Sequence, residues 1–227
     1  MTKILISGIV RVRAGGLLAG MALASLLACG TAFAQTAPDP SAATQNSVKL
    51  ARVLMALPAG SPWLSLKVDP LLCIYNPVNS SWPGGRIEQE ITPYFVPFKT
   101  ELERAGYKVF TPGEDNLFDP EAGSSDYEAA AVITDAHVEG CVSDGAYFTN
   151  RGSVRGDGSM TIDWQLYSRL KKQVVAHVST SGTSKLSKSV PGGVVRLITD
   201  AFAGNVRELA SNADFRAALP NRQSTSS

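Results

Sequence analysis

Three side chains suited to acid–base or metal chemistry recur at every second position near the middle of the chain: Asp135, His137 and Glu139. The stretch around them alternates polar and apolar residues, which predicts a strand that carries all three on one face. A second alternating stretch contains His177, and a neighbouring strand would bring this imidazole towards them. Carboxylates and imidazoles grouped in this way bind transition metals or transfer protons. The other interpretation is a half-solvated strand whose polar face has no chemical role.

Enzyme classes with a recognisable sequence signature are not indicated. A serine hydrolase needs a nucleophile, a base and an orienting acid, yet the chain has only 2 histidines and no serine in a GxSxG elbow. No glycine-rich loop has phosphate-binding spacing, and no basic stretch is interleaved with aromatic residues as in nucleic-acid-binding proteins. We therefore predict a protein that is not an enzyme, has no cofactor and binds no nucleic acid.

Two of the three cysteines lie in the region expected to fold. Cys73 and Cys141 are separated by 68 positions, and an even pair in an exported protein favours a disulfide. In the chain-entropy model, closing a loop of that length stabilises the fold by about 4 kcal/mol. Two buried free thiols are the alternative.

The first 34 residues have the form of a secretory signal peptide. They contain Lys3, Arg11 and Arg13 without an acid, followed by an apolar run shorter than the roughly 20 residues of a stable membrane span. Small residues up to Ala34 predict cleavage before Gln35, which would release the protein into the periplasm or another extracytoplasmic space.

Cys29 offers a second processing route. The residues "LLAC" resemble a bacterial lipobox that ends at Cys29, and acylation of this cysteine would give an outer-membrane lipoprotein. Both routes lead to the cell envelope, and the sequence leaves the choice open.

The charge balance after export is nearly even. Three of the 21 lysines and arginines lie in the predicted signal peptide, which leaves 18 against 20 acidic residues. Such a balance gives no strong field for steering nucleic acid or an anionic membrane surface. We therefore expect membrane contact only if Cys29 is lipidated.

The rest of the chain predicts one domain. Residues 35–47 form a linker rich in Pro, Ala, Ser, Thr and Gln, and residues 220–227 form a polar tail, so neither buries enough apolar surface to fold. Residues 48–219 contain the periodic apolar segments, and their length suits a single α/β domain.

The strand around His137 is expected to have one apolar and one mostly polar face. Strict alternation puts Val132 and Val138 on the apolar face, and it puts Ile133 on the polar face with Asp135.

The clearest hairpin has its turn at Arg169–Lys171. Matching the apolar faces of its two strands sets Trp164 opposite Ala176 and Asp163 opposite His177. A slip of two residues would preserve both faces, so the pattern determines the parity of the pairing and not its register.

Two amphipathic helices are expected, one over residues 91–105 and one over residues 194–209. Pro97 is expected to kink or restart the first. A short helix capped by Ser211 or Asn212 follows the second. The predicted fold is α/β of the α+β type: a single mixed or antiparallel sheet with a long hairpin, covered on one face by the two amphipathic helices.

Trp82 lies in a loop rich in proline and glycine. Such an aromatic residue is either an exposed anchor for a partner or a side chain folded back onto the core. The sequence does not decide between them.

Several stretches together resemble the amino-terminal accessory domain that precedes a trypsin-like peptidase domain in some proteobacterial exported proteins. They are "FKTELERAGYKVFTPGEDNLF", "VITDAHVEGC", "MTIDWQLYSRLKKQVV" and "GGVVRLITDAFAGNVRELASNADFRAAL", within Trp63–Leu219. The layout is also similar to the small envelope α/β domains of the TolB amino-terminal and curli-secretion-channel type. None of these stretches is catalytic, so the resemblance implies binding or assembly with unidentified envelope proteins.

The sequence therefore predicts a non-enzymatic accessory module of the envelope. Two alternatives remain open: a regulatory partner of a separate envelope serine protease, and an enzyme or metal site around His137 and His177.

Overall fold

The computed structural model describes residues 46–68, 73, 77–111, 125–143 and 152–219. The strands are β1 Ser47–Met55, β2 Pro62–Val68, β3 Val78–Ser81, β4 Ile87–Gln89, β5 Lys108–Val109, β6 Tyr127–Val142, β7 Ser153–Ser168 and β8 Gln173–Pro191. The helices are α1 Thr92–Arg104, α2 Gly193–Ser211 and α3 Ala213–Ala218. β1 begins at the last residue of the predicted linker. The predicted signal peptide, with Cys29, Ala34 and Gln35, and the tail after residue 219 lie outside the described residues.

The sheet is mixed and is organised around β6. One edge of β6 pairs antiparallel with β7 along its length, and β7 pairs antiparallel with β8. The other edge of β6 is shared by two parallel neighbours, β1 along its first half and β2 along its second. Of the two sheet types predicted, the mixed one is therefore present and the purely antiparallel one is wrong.

A β-bulge at Thr134 changes which side chains of β6 face the core. The pairing with β7 shifts between Ile133 and Asp135, so the inward positions are odd-numbered before the bulge and even-numbered after it. Ile133 is consequently 1 % exposed and Val132 is only half-buried. The predicted faces are correct for Asp135 and Val138 and wrong for Ile133 and Val132, because strict alternation has no place for an extra residue.

The β7–β8 hairpin has the predicted parity and a different register. Trp164 lies opposite Val178, and His177 lies opposite Gln165, which is a slip of two residues from the predicted pairs. One residue of the slip comes from the turn, which extends to Lys172 with φ 54°. The other comes from a bulge at Val175. Trp164 is 2 % exposed on the core face, as the parity requires.

The helices lie on the core face of the sheet. α2 packs on β7 and β8, α1 packs mainly against α2, and α3 lies beside α2 on β8, so the predicted cover of two helices is incomplete. α1 continues through Pro97 without restarting. The Asn212 side chain caps α3 by accepting bonds from the backbone N–H groups of Asp214 and Phe215.

A buried polar network joins α2 to the hairpin. The Trp164 indole donates to the Thr180 hydroxyl at 2.8 Å, and this hydroxyl donates to Asn205 Oδ1 at 2.7 Å. Asn205 Nδ2 donates to the carbonyls of Met160 and Ala201, both at 3.0 Å. Every polar atom of the Asn205 amide is therefore paired, although the residue is 0 % exposed.

Glycine allows the helix to approach this closely. A Cβ atom on Gly182 of β8 would lie 2.1 Å from the Ala201 carbonyl oxygen of α2, well inside any real contact. The network and the close approach together determine where α2 lies on the sheet, and α2 forms one wall of the pocket described next.

Candidate binding pocket

A largely enclosed cavity of about 160 Å³ lies between the core face of the sheet and the helices. Its lining is mostly apolar, from strands β1, β2, β4, β6 and β7, helices α1 and α2, and the loop after β3: Met55, Trp63, Trp82, Gln89, Tyr94, Ile133, Ala136, Val138, Gly158, Ser159, Met160, Leu197, Ile198 and Ala201. An apolar cavity of this size binds a ligand as small as benzene. We call it the apolar pocket.

The floor of the apolar pocket exists because small side chains meet there. The bulge at Thr134 turns Ala136 inward, and Ala136 pairs with Met160 on β7. Gly158 on the same strand has no side chain, and Ala201 on α2 has only a methyl group. A larger side chain at Ala136 or Ala201 would fill the space, as in an ordinary core, whereas at Gly158 even a Cβ atom would lie 2.6 Å from Ser184 Oγ.

Tyr94 supplies a polar group at the apolar pocket. Its ring packs 4.9 Å from the ring of Phe202, and the residue is 8 % exposed. Its hydroxyl makes no hydrogen bond with any residue in the described ranges. Burial raises the pKa of the Tyr94 hydroxyl above its usual value, because the phenolate would be poorly solvated there. The group is thus a neutral phenol, which can both donate and accept a hydrogen bond.

The mouth of the pocket is marked by lining residues that remain partly exposed, which include Trp63, Gln89 and Ile198. Ile87 shares a face of β4 with Gln89, and Val195 lies one helical turn before Ile198 on α2. Both are 43 % exposed. The mouth therefore has apolar side chains beside it that water covers in the free protein.

Trp82 belongs to this pocket rather than to the surface. It is 7 % exposed and lines the cavity, and its indole N–H donates to the Gly85 carbonyl at 3.3 Å. Of the two predicted arrangements, the structure has the second, in which the Trp82 side chain folds back onto the core.

Asp135, His137 and Glu139 lie on the face of the sheet away from the apolar pocket, and His177 is not close to them. His137 lies opposite Ser159, which lies opposite Thr183 of β8, whereas His177 is six residues away along that strand. Six residues of strand span about 20 Å. Among the described residues no three His, Cys, Asp or Glu side chains converge as metal ligands would.

The carboxylates near His137 are paired with lysines. Lys67 Nζ lies 3.4 Å from Glu139, and Lys185 Nζ lies 3.4 Å from Asp157. These pairs are exposed, and such pairs stabilise by at most about 1 kcal/mol. His137 Nδ1 lies 3.3 Å from the Pro62 carbonyl. The arrangement has the character of a solvated sheet face with local pairs.

Cys73 and Cys141 are joined in the structure, with their Cα atoms 5.6 Å apart. Cys141 lies near the end of β6 and pairs with Arg155 of β7. The Arg155 guanidinium donates a hydrogen bond to Cys73 Sγ at 3.3 Å. The bond connects the segment after β2 to the central strand, on the face away from the apolar pocket.

Comparisons with known proteins give no family. No protein-family model matches the chain, and no curated protein matches it. Solved structures with some likeness include a protein from Xanthomonas campestris assigned to DUF330, with 14 % identity, coverage of 76 % of this chain and 87 % of that chain, and a TM-score of 0.34.

Two further solved structures are also only distantly similar. A hypothetical protein from Chlamydia trachomatis has 9 % identity, covers 78 % of this chain and 99 % of that one, and has a TM-score of 0.39. A minor lipoprotein from Acinetobacter baumannii has 8 % identity, covers 77 % and 93 %, and has a TM-score of 0.28. None of the three descriptions names a peptidase, and likenesses this weak assign no function. The resemblance to a peptidase-associated domain therefore stays a prediction.

Within the described ranges, none of the helices combines the length and the hydropathy that crossing a bilayer requires.

Proposed function

We propose that the protein is a non-enzymatic binding module of the bacterial cell envelope, and that the apolar pocket holds an apolar side chain of a partner protein. The observation that carries the proposal is the pocket itself, a largely enclosed apolar cavity lined in part by Tyr94. Apolar walls with a few placed polar groups are the usual composition of a binding site.

Size and surroundings favour a side chain over a free small molecule. Pockets for drug-sized ligands enclose about 300–1,000 Å³, and this one encloses about 160 Å³, which suits a single ring or a short branched chain. The exposed Ile87 and Val195 beside the mouth would contact the surface around such an anchor. A buried anchor encircled by weaker apolar contacts is the arrangement of protein–protein hot spots.

The envelope location rests on the amino-terminal residues. The run that ends near Cys29 and Ala34 has the composition of a secretory signal, and both processing routes export the chain. The periplasm is the location proposed, with an outer-membrane lipoprotein as the alternative.

Ala136→Leu tests the pocket, because the larger side chain would occupy the cavity. Ala130→Leu is the matched control, since Ala130 lies on the same strand and outside the pocket lining. Toluene, which reproduces the phenylalanine side chain, serves as the probe. At about ten times its Kd it should raise the Tm of wild type and Ala130→Leu by about 4 °C and leave that of Ala136→Leu unchanged.

Capture of partners separates the two parts of the proposal. Wild type and Ala130→Leu should retain an envelope protein that Ala136→Leu loses. Equal toluene shifts in all three proteins would show that the pocket is not the site. A toluene shift without any pocket-dependent partner would instead identify a receptor for a free apolar molecule.

A further inference from the structure

The turn between β7 and β8, residues Arg169–Lys172, combines an exposed apolar residue with three cations. We call it the hairpin tip. Leu170 is 92 % exposed, the largest exposed fraction among the large apolar side chains of the described residues. Arg169, Lys171 and Lys172 flank it, and all three are exposed. None of them forms an ion pair with a residue of the described ranges.

The hairpin tip is held in a defined conformation. The backbone N–H of Lys171 donates to the Ser168 hydroxyl at 3.3 Å, and the N–H of Arg169 donates to the Asp126 carbonyl at 3.1 Å. Lys172 takes the left-handed conformation that closes the turn. The turn therefore holds Leu170 and its neighbouring cations close together in one conformation.

The adjoining end of the sheet carries charges of both signs. Two acids lie near, Asp126 and Glu128, and the Asp126 carboxylate already accepts the Ser47 backbone N–H at 2.8 Å. Lys49 lies opposite Glu128 on β1, and Arg52 lies farther along that strand. Among the described residues, the two acids are offset by Lys49 and by Lys108, which pairs with Ser47, so the three cations of the hairpin tip remain unbalanced.

We propose that the hairpin tip binds an anionic phospholipid surface, with Leu170 in the interface and the three cations at the level of the phosphates. Long lysine and arginine stems let the charges stay in water while an apolar neighbour is buried. Each cation close to an anionic surface strengthens binding about fivefold. This contact does not depend on acylation of Cys29. From the sequence alone, we expected membrane contact only through that acylation.

A lipid surface fits the hairpin tip better than a protein does. Stable protein interfaces bury about 800 Å² on each partner, and a turn of four residues between two strands offers far less. A bilayer interface accepts a single projecting apolar residue, because lipid heads and chains rearrange around it.

Vesicle co-sedimentation tests the proposal with the whole chain as the cell exports it. Every protein carries C29S, so that acylation contributes nothing. Vesicles contain phosphatidylethanolamine with phosphatidylglycerol, and the comparison vesicles contain phosphatidylcholine alone. R169Q/K171Q should weaken binding to the anionic vesicles about 25-fold, two factors of five. L170S should weaken it about tenfold, from lost burial of one leucine.

Matched controls change the same chemistry elsewhere. R86Q/K188Q removes two exposed cations away from the hairpin tip, and V96S removes an apolar side chain that is 67 % exposed on α1. Both should bind as wild type does, and added salt should release wild type from the anionic vesicles.

The proposal is overturned if wild type fails to sediment with the anionic vesicles, or sediments equally with both kinds. It is also overturned if R86Q/K188Q weakens binding as much as R169Q/K171Q. Loss of an acidic co-purifying protein in R169Q/K171Q, without vesicle binding by wild type, would assign the hairpin tip to a protein partner instead.

Discussion

Asn205→Leu tests whether the buried polar network positions α2 on the sheet. Leucine has the same branching as asparagine, so the substitution removes the amide and puts two somewhat larger methyl groups in its place. The Thr180 hydroxyl would lose its acceptor, and the Met160 carbonyl would lose a donor. Thr180 is 2 % exposed and Met160 is 4 % exposed, so water does not readily replace the missing partners.

The expected cost follows from these two groups. A buried polar group without a partner costs about 1–3 kcal/mol, and the added apolar burial of leucine offsets part of the total. We expect the free energy of unfolding to fall by about 3 kcal/mol. With an m-value of about 2 kcal/mol/M in urea, the midpoint should move down by about 1.5 M.

Urea unfolding followed by tryptophan fluorescence measures the change, with Asn79→Leu as control. Asn79 is exposed on β3, and its replacement should change stability by less than about 0.5 kcal/mol. In a Thr180→Val background, Asn205→Leu should cost about 1–2 kcal/mol less, because the hydroxyl that it leaves unpaired is already gone. Costs that add without coupling, or an Asn205→Leu cost below that of the control, would refute the network as the element that holds the helix.

Two further predictions concern the cysteines. Cys73 and Cys141 should resist thiol labelling in the native, unreduced protein, and Cys73→Ala should lower the Tm, because a disulfide stabilises by about 2–4 kcal/mol; complete labelling of both thiols would contradict the bond. The intact mass of the exported protein should match a chain that begins at Gln35, whereas a diacyl or triacyl mass on Cys29 would assign the lipoprotein route.

The helices were predictable because their signals are local. The apolar stripe predicts a helix over residues 194–209, and α2 spans Gly193–Ser211. Asn212 was one of two residues predicted as the cap of the last helix, and its side chain does cap it. A helical stripe and a capping side chain depend only on neighbours within a few positions, which the sequence displays directly.

The sheet depends on partners that the sequence does not display. The bulge at Thr134 arises where β6 meets β7, and it reverses the inward face for every earlier residue of the strand. The hairpin register depends on one additional turn residue and on the bulge at Val175, neither of which alters the alternation of apolar residues. Parity was therefore predictable, and register was not.

The apolar pocket could not be predicted from the sequence, because it also depends on contacts between separate elements. Its floor combines Ala136, Gly158 and Ala201, which lie on three separate elements, and small residues in a sequence give no sign that they will face one another. Of the lining residues, Trp82 was the one that the sequence raised as a possible contact for a partner.

The apolar pocket and the hairpin tip lie at different places along β7, which makes their effects separable. Met160 lines the pocket and Arg169 begins the tip, nine residues farther on, or about 30 Å of extended chain. Substitutions farther apart than about 10 Å, without shared partners, act additively. Ala136→Leu should therefore leave vesicle binding unchanged, and R169Q/K171Q should leave the toluene shift unchanged. A protein bound to lipid through the hairpin tip would keep the Met160 end of its pocket nine strand residues from the contact, and we expect a partner protein to reach the pocket from there.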